Sequence, residues 1–383
     1  MRIAWVTYDF EEYSSLHVNA LVDEHEVLLV TPRPEEGGAK YPIRPEVEHF
    51  AFDKPRLRQP LRQLASVREL LRRIDAFQPD VVHFQQGHLW FNFVLKRLRQ
   101  KYPLVITVHD PRHHAGDTVS KKTPQWVMDH GFRQAHHAIV HGGALAPQVH
   151  DLFGVPEERI HVIPHVAMGC GFDGHSNSAA ANDDKSILFF GRIYEYKGLE
   201  YLIRSQPQVN AAVPNAKFVI GGRGDDFGRY EAMMNDRDRF EVHNRWLSDE
   251  ERAEMFQQAS IVVLPYIEAT QSGVVPVAYN YGRPVVATDV GALSECVDDE
   301  KTGLLVPPRD VDALANAMIR LLTDDSLRQT MGNAAREKLQ QELAPEVVAA
   351  QHAAVYEQAI RDFGGSIPPA AETRDNQPVE AMV

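Results

Sequence analysis

Two cations and a carboxylate carry the most chemistry in this chain. Arg192 and Lys197 lie in FFGRIYEYKG, directly after the hydrophobic run 186–190 and Gly191. About seventy residues later a second buried run, Ile261 to Pro265, leads to Glu268, then to Ser272, Gly273 and Val274. Cations in a loop at a strand end suit a doubly charged phosphate ester, because charge-assisted contacts to phosphate are strong. A carboxylate beside them suits a polyol such as a sugar. A surface Arg and Lys are otherwise merely solvated, and a helix-start carboxylate is otherwise stabilised by the helix dipole alone. Pro276 limits where the helix after Gly273 starts, which leaves the amides near Ser272, Gly273 and Val274 for anions or sugar oxygens.

The first half offers His109 and Asp110, which end the run Val105 to Val108. Gln86 in QQGH and His141 in HGG also follow strand-like runs and are expected to line the other side of a cleft. Ser14, in the loop YDFEEYSS, is a candidate helix cap or ligand contact. Gly222 belongs to a glycine-rich loop that a tight turn explains equally well. Trp246 follows a strand, where a Trp commonly packs under a loop.

These residues need a scaffold of alternating strands and helices, which means an α/β protein with parallel sheets. Strands are expected at 2–7, 26–31, 81–84, 104–108, 138–140 and 160–164. A second series is expected at 186–190, 217–221, 240–243, 261–264, 284–287 and 303–306. A Gly-, Ser- and Asn-rich stretch separates the series. The division is an N-terminal Rossmann-like half, 1–167, a linker, 168–185, and a C-terminal Rossmann-like half, 186–344. A last helix, 345–363, is expected to return to the first half, and the Pro-rich tail 364–383 to be disordered. Two doubly wound halves facing across a cleft hold ligand at the carboxyl ends of their strands.

The 383 residues suffice for two cores, and the net charge of −13 argues against a nucleic-acid binder. Nothing resembles a membrane span or signal peptide, and two cysteines make no disulfide framework. A cytoplasmic protein is expected. The eighteen histidines show no metal-ligand spacing, and no Asp-x-Asp motif sits in a suitable loop, so no metal is expected. Charge is uneven. Residues 51–101 hold eleven Lys and Arg against four Asp and Glu, a net +7 that leaves −20 for the rest. Arg56, Arg58, Arg62, Arg68, Arg72 and Arg73 alternate with leucines in one helical pattern. Residues 54–101 therefore either lie on anionic lipid, as a peripheral contact on the inner membrane face, or form an ordinary domain helix.

The motifs FFGRIYEYKG, FVIGGRGDD, the NRWLSDEERAEMF to EATQSG stretch, YGRPVVATDVGALSE and DEKTGLLVPP stand in one order. In that order they resemble the retaining glycosyltransferases of family 4, which have the GT-B fold. The resemblance covers roughly residues 1–363 and implies transfer of a sugar from a UDP- or GDP-linked donor to a hydroxyl of a glycan, lipid or small molecule, without a cofactor. It implies that Arg192 and Lys197 hold the diphosphate, with Gly191 and Gly222 beside it. It places Glu268 and Ser272 to Val274 at the donor, Trp246 by the base and His109 at the junction of sugar and acceptor. Ser14, Gln86, Asp110 and His141 are expected on the acceptor side. The family's second glutamate, eight residues after the first, is replaced by Pro276, or by Val277 with one insertion. Asp289 and Glu295 are the candidates to take its place. A nucleotide-sugar epimerase on the same fold and a catalytically silent partner subunit are the alternative readings.

Overall fold

The structure is a computed structural model. It describes residues 1–33, 41–85, 87–114, 123–169, 185–224 and 227–366. Two parallel sheets organise it. The first has strands β1 (Arg2–Thr7), β2 (Glu26–Pro32), β3 (Glu48–Phe52), β4 (Val81–Gln85), β5 (Leu104–Thr107), β6 (His137–Val140) and β7 (Ile160–Val162), in the order β3-β2-β1-β4-β5-β6-β7. The second has β8 (Lys185–Phe190), β9 (Ala216–Gly222), β10 (Phe240–Asn244), β11 (Ile261–Leu264), β12 (Val285–Thr288) and β13 (Gly303–Val306), in the order β10-β9-β8-β11-β12-β13. Strand order reverses between β1 and β4 and between β8 and β11. A crevice opens at such a point because the two flanking connections leave in opposite directions. The loops after β1, β4, β8 and β11 carry most of the chemistry singled out above.

Both sheets are buried on both faces, so their central strands are continuous apolar runs without alternation. One face of the first sheet is covered by α2 (Pro60–Phe77), α3 (Leu95–Lys101), α4 (Gln125–Phe132) and α5 (Ala146–Phe153). The other holds α1 (Glu11–Leu21) and α13 (Pro345–Asp362). The last helix thus belongs to the first core. Its Val348, Val355, Tyr356 and Ile360 are buried with Ile3, Trp5 and Val18, and each large apolar side chain so buried contributes about 1.5–3 kcal/mol.

The second sheet is flanked by α6 (Leu199–Ala212) and α11 (Val311–Thr323) on one side. On the other lie α8 (Asp249–Gln258) and α9 (Val274–Asn280). α8 starts with a capping box, in which Ser248 Oγ accepts from Glu251 N at 3.2 Å and Glu251 accepts from Ser248 N at 2.8 Å.

The fold differs from the sequence reading in two places. β3 is unexpected, because EHFAF is an edge strand with its first residues exposed and shows no apolar run. α1 starts at Glu11, inside the expected loop YDFEEYSS, so the loop after β1 shrinks to Tyr8, Asp9 and Phe10. Phe10 turns the chain at a φ of 63°, and Glu11 and Glu12 supply the negative charge that favours a helix start. Residues 170–184, most of the expected linker, and 367–383, most of the expected tail, lie outside the described residues.

Candidate active site

The two glycines expected near a diphosphate are backbone-to-backbone neighbours. Gly191 has a φ of 115° and Gly222 a φ of 140°, and a Cβ on Gly222 would lie 1.9 Å from the Gly191 carbonyl oxygen. No side chain fits there. The β8 and β9 loops are thereby pressed together, and Arg192 leaves from the junction with its guanidinium 5.6 Å from the Tyr194 ring.

Lys197 closes a single 3-10 turn, Glu195–Lys197, and is buried. Its ammonium donates to Tyr266 Oη at 2.6 Å and lies 4.0 Å from the Tyr266 ring centre. Burial first, and then the neighbouring Arg192 charge, hold the Lys197 pKa below its ordinary value. Tyr266 lies after β11, so it ties the cation of one loop to the next. Its hydroxyl is 3.4 Å from Ser272 Oγ. Ser272 Oγ in turn accepts from Val274 N at 3.3 Å, at the start of α9. Gly273 faces the first half, since a Cβ there would meet Met168 at 2.8 Å and the His165 ring at 3.7 Å.

Glu268 reaches across the molecule. Its carboxylate accepts from His114 Nδ1 at 3.0 Å, while His114 Nε2 lies 3.1 Å from Asp110 Oδ1 and 3.2 Å from Thr270 Oγ1. The Thr270 hydroxyl also donates to Asp110. His114 stacks on Tyr196 with ring centres 4.4 Å apart. Burial works against the His114 charge, but Asp110 and Glu268 more than offset it, and its pKa is raised. For Asp110 burial is likewise outweighed, by His114, Thr270 and Arg192, and its carboxyl is held below the usual range. His114, held between two carboxylates, therefore joins the halves.

His109, only 1% exposed, lies behind this layer. Its ring stacks on Phe10 with centres 4.3 Å apart and donates from Nε2 to Gln85 Oε1 at 2.8 Å. His141 is buried beside it, with ring centres 4.8 Å apart. Burial pushes the His109 pKa well below its ordinary value and that of His141 down to about 3.

The remaining candidates sit as follows. Trp246 is 74% exposed, with the Arg223 guanidinium 5.9 Å from its ring, so it does not pack under a loop. Ser14 is the fourth residue of α1 and fully buried, so it does not cap that helix. Gln86 lies outside the described residues. Pro276 and Val277 are buried in α9. Glu295 accepts from Gly143 N at 2.5 Å and Ala144 N at 2.9 Å, which commits it to an inter-domain contact. Asp289 is exposed after β12. Among the described residues, no three His, Cys, Asp or Glu cluster so as to hold a metal ion.

Sequence reasoning missed His114, Thr270, Tyr266 and Tyr196. His114 was visible only as half of an adjacent pair, and its role depends on Glu268, 154 positions away.

The model described as "Glycosyl transferases group 1" matches residues 184–324, and "Glycosyltransferase Family 4" matches residues 13–166. A phosphatidyl-myo-inositol mannosyltransferase of Mycolicibacterium smegmatis is 32% identical over 285 residues, 73% of this chain and 71% of its own. Sucrose-phosphate synthase of Thermosynechococcus elongatus superposes with a TM-score of 0.73 at 20% identity, covering 94% of this chain and 100% of its own. Anabaena HepE, solved in complex with UDP-glucose, superposes with a TM-score of 0.66 at 16% identity, covering 95% of this chain and 99% of its own. The structural likenesses show the architecture, two Rossmann-like domains in the GT-B arrangement.

Proposed function

This chain belongs to the glycosyltransferases of group 1 and family 4, and we propose that it is a retaining enzyme that takes its sugar from a UDP- or GDP-linked donor. The acceptor is a hydroxyl of a glycan, lipid or small molecule. The observation that carries this reading is the convergence of Arg192, buried Lys197 and Glu268, where β8 and β11 diverge, with Asp110 and His114 of the other half.

The leaving group is a diphosphate whose charge grows as the glycosidic bond breaks. Fixed cations in a closed cleft stabilise that change directly. Lys197 is suited to it, since its burial weakens competing hydration and Tyr266 fixes its position. Glu268, which in this state accepts from His114, exchanges that contact for sugar hydroxyls when donor enters. The acceptor attacks from the face the diphosphate leaves, and a diphosphate oxygen takes the acceptor proton. No side chain then has to act as a strong base, which agrees with His109 being buried and poorly basic. An epimerase would need accessible acid and base groups facing the sugar from both halves, and the depressed pKa of His109 argues against that role. The silent-subunit reading has one observation in its favour, the loss of the second glutamate to buried Pro276 and Val277.

The face formed by α2 suits a peripheral contact with anionic membrane. Arg56, Arg58, Arg62, Arg68 and Arg72 are exposed, and Leu61 stands 82% exposed among them. Val67, Leu70 and Ile74 form the core stripe of the same helix. No helix among the described residues is long and apolar enough to cross a membrane.

The test is nucleotide release from a panel of UDP- and GDP-linked sugars, with and without candidate acceptors. Release of a nucleoside diphosphate that rises with acceptor, with the α-linkage of the donor kept in the product, is the expected result. Inversion would overturn the retaining assignment. Binding of donors without turnover would favour the silent subunit.

A further inference from the structure

The ring of His114 has a carboxylate at each of its nitrogens, one from each half. Nδ1 lies 3.0 Å from Glu268 Oε1, in the loop after β11, and Nε2 lies 3.1 Å from Asp110 Oδ1, in the loop after β5. An ionised carboxylate only accepts, so the geometry asks for a hydrogen on each nitrogen, which is the imidazolium form. Thr270 Oγ1, 3.2 Å from Nε2, does not supply that hydrogen, because its hydroxyl donates to Asp110. Tyr196 covers one face of the ring, stacked with centres 4.4 Å apart, and limits its rotation.

The surroundings set this histidine apart from those deeper in the first half. Burial lowers the pKa of His109, His141 and His165. Burial works against the charged form of His114 as well, but Asp110 and then Glu268 outweigh it, and its pKa is raised. The other charges on the neighbouring loop after β8, among the described residues, are Lys197 and Arg192. The Lys197 ammonium lies 5.4 Å from the Tyr196 ring centre, and the Arg192 charge bears on Asp110. On its own loop, Arg112 pairs with Asp129 at 2.6 Å and His113 Nε2 donates to the Thr123 carbonyl at 3.0 Å.

His114 thus engages the carboxylate that the proposed reaction assigns to the donor sugar, and sugar hydroxyls entering the cleft compete with it for Glu268. Once Glu268 turns to the sugar, Nδ1–H has lost its acceptor and Asp110 alone supports the charge. The proton on Nδ1 then passes to solvent, while Nε2–H stays on Asp110. We propose that His114 is a proton-operated gate on the donor site, which as an imidazolium ties Glu268 to Asp110 across the two halves and is opened by donor binding with release of its Nδ1 proton. This rests on the nucleotide-sugar reading above. A ligand that binds the deprotonated form better gains affinity as pH rises, so acid holds the gate shut and base opens it.

Nitrogen-15 NMR of the imidazole rings in the ligand-free protein tests the shut state, with His114→Gln assigning the signal. Both ring nitrogens of His114 should be protonated at about pH 6.5, where an ordinary histidine is half charged. Glu268→Gln should move the His114 titration to lower pH. Calorimetry with UDP-glucose and GDP-mannose, in buffers of different ionisation enthalpy, tests the opening. Binding to the unmodified protein should release protons, and affinity should rise about tenfold between pH 6 and 8, as for a ring whose pKa falls by about one unit on losing Glu268. His114→Gln should lose both the proton release and the pH slope. A neutral His114 ring at about pH 6.5, proton uptake on binding, or the same pH slope in His114→Gln overturns the proposal. If neither sugar nucleotide binds the unmodified protein, the nucleotide-sugar reading and the gate fall together, while the NMR titration still decides whether His114 is a charged clamp between the halves.

Discussion

At the residue scale, Lys197 and Arg192 differ in surroundings and should differ in what their loss does to the fold. Arg192 is exposed on a loop, whereas Lys197 is buried on Tyr266. Replacing either by Ala should lower turnover by roughly a hundred- to thousandfold, the usual cost of one contact to a developing anion. Arg192→Ala should leave the melting temperature unchanged, while Lys197→Ala should also shift it, because Tyr266 Oη loses its partner. Turnover within a few-fold of the unmodified enzyme in either variant would remove the diphosphate role. Because the proposed mechanism meets the charge on the leaving group with these side chains, a strong chelator is expected to leave activity unchanged. The Asp-x-Asp spacings in the chain are spent locally. Asp310 caps α11 through Ala313 N at 2.9 Å, and Asp236 accepts from Asp238 N at 3.3 Å. Activity lost to chelator and restored by magnesium or manganese would contradict this.

At the scale of elements, α2 and α13 make separate predictions. α2 turns one stripe to the core and its arginines outward. Vesicles rich in anionic lipid should bind the protein, and less so as salt rises. Each basic residue near such a surface contributes about 1 kcal/mol, over a screening length of roughly 8 Å. Reversing Arg58, Arg62 and Arg72 to Glu should abolish vesicle binding and spare donor hydrolysis. Absence of binding by the unmodified protein at low salt would end the membrane reading.

α13 docks on the first sheet through His352 and Tyr356, beside His17 and His83. Burial lowers the pKa of His352 to about 4, and those of His17 and His83 well below the ordinary value. Such rings fold neutral but take up protons when unfolded. Their stability contribution is therefore full above the unfolded pKa of about 6.5 and is lost as pH falls towards the folded values. Stability should decline steeply from about pH 6.5 to about 4, and His352→Gln should flatten that decline. A urea midpoint with the same pH slope in both proteins would refute it.

At the scale of the molecule, the halves are held by ionic contacts at the rim as well as at the cleft. Arg252 of α8 pairs with Glu12 of α1 at 3.0 and 3.3 Å, and Glu12 also accepts from Gly169 N at 2.8 Å. Glu295 grips the start of the turn before α5. These side chains cross between halves that, on the proposed function, part to admit donor and close over it. Arg252→Ala should loosen the closed form without unfolding either core. Small-angle scattering should report a larger radius of gyration in the ligand-free variant, and the urea midpoint should fall by an amount matching about 1.5–3 kcal/mol, the worth of hydrogen bonds to a charged group. An unchanged radius would assign the pair a purely local role.

Much of this was legible in the chain itself. Buried parallel strands are continuous apolar runs, so the twelve expected strands could be placed by composition and length, with Gly191 and Gly222 marking where the chain turns out of the second sheet. Local spacing also singled out Arg192, Lys197 and Glu268 as candidates, because cations and acids directly after such runs must emerge at strand ends. β3 escaped because an edge strand half open to water carries no apolar run, and the early start of α1 escaped because a helix start depends on how Phe10 turns and on the charge of Glu11 and Glu12. The partners of the site residues depended on tertiary structure alone. Glu268 meets His114, Asp110 meets Thr270, and Lys197 meets Tyr266, across separations of 154, 160 and 69 positions. No periodicity encodes such pairs. They arise where two sheets place loops face to face, and with them comes the direction of each pKa shift, which depends on neighbours that only folding supplies.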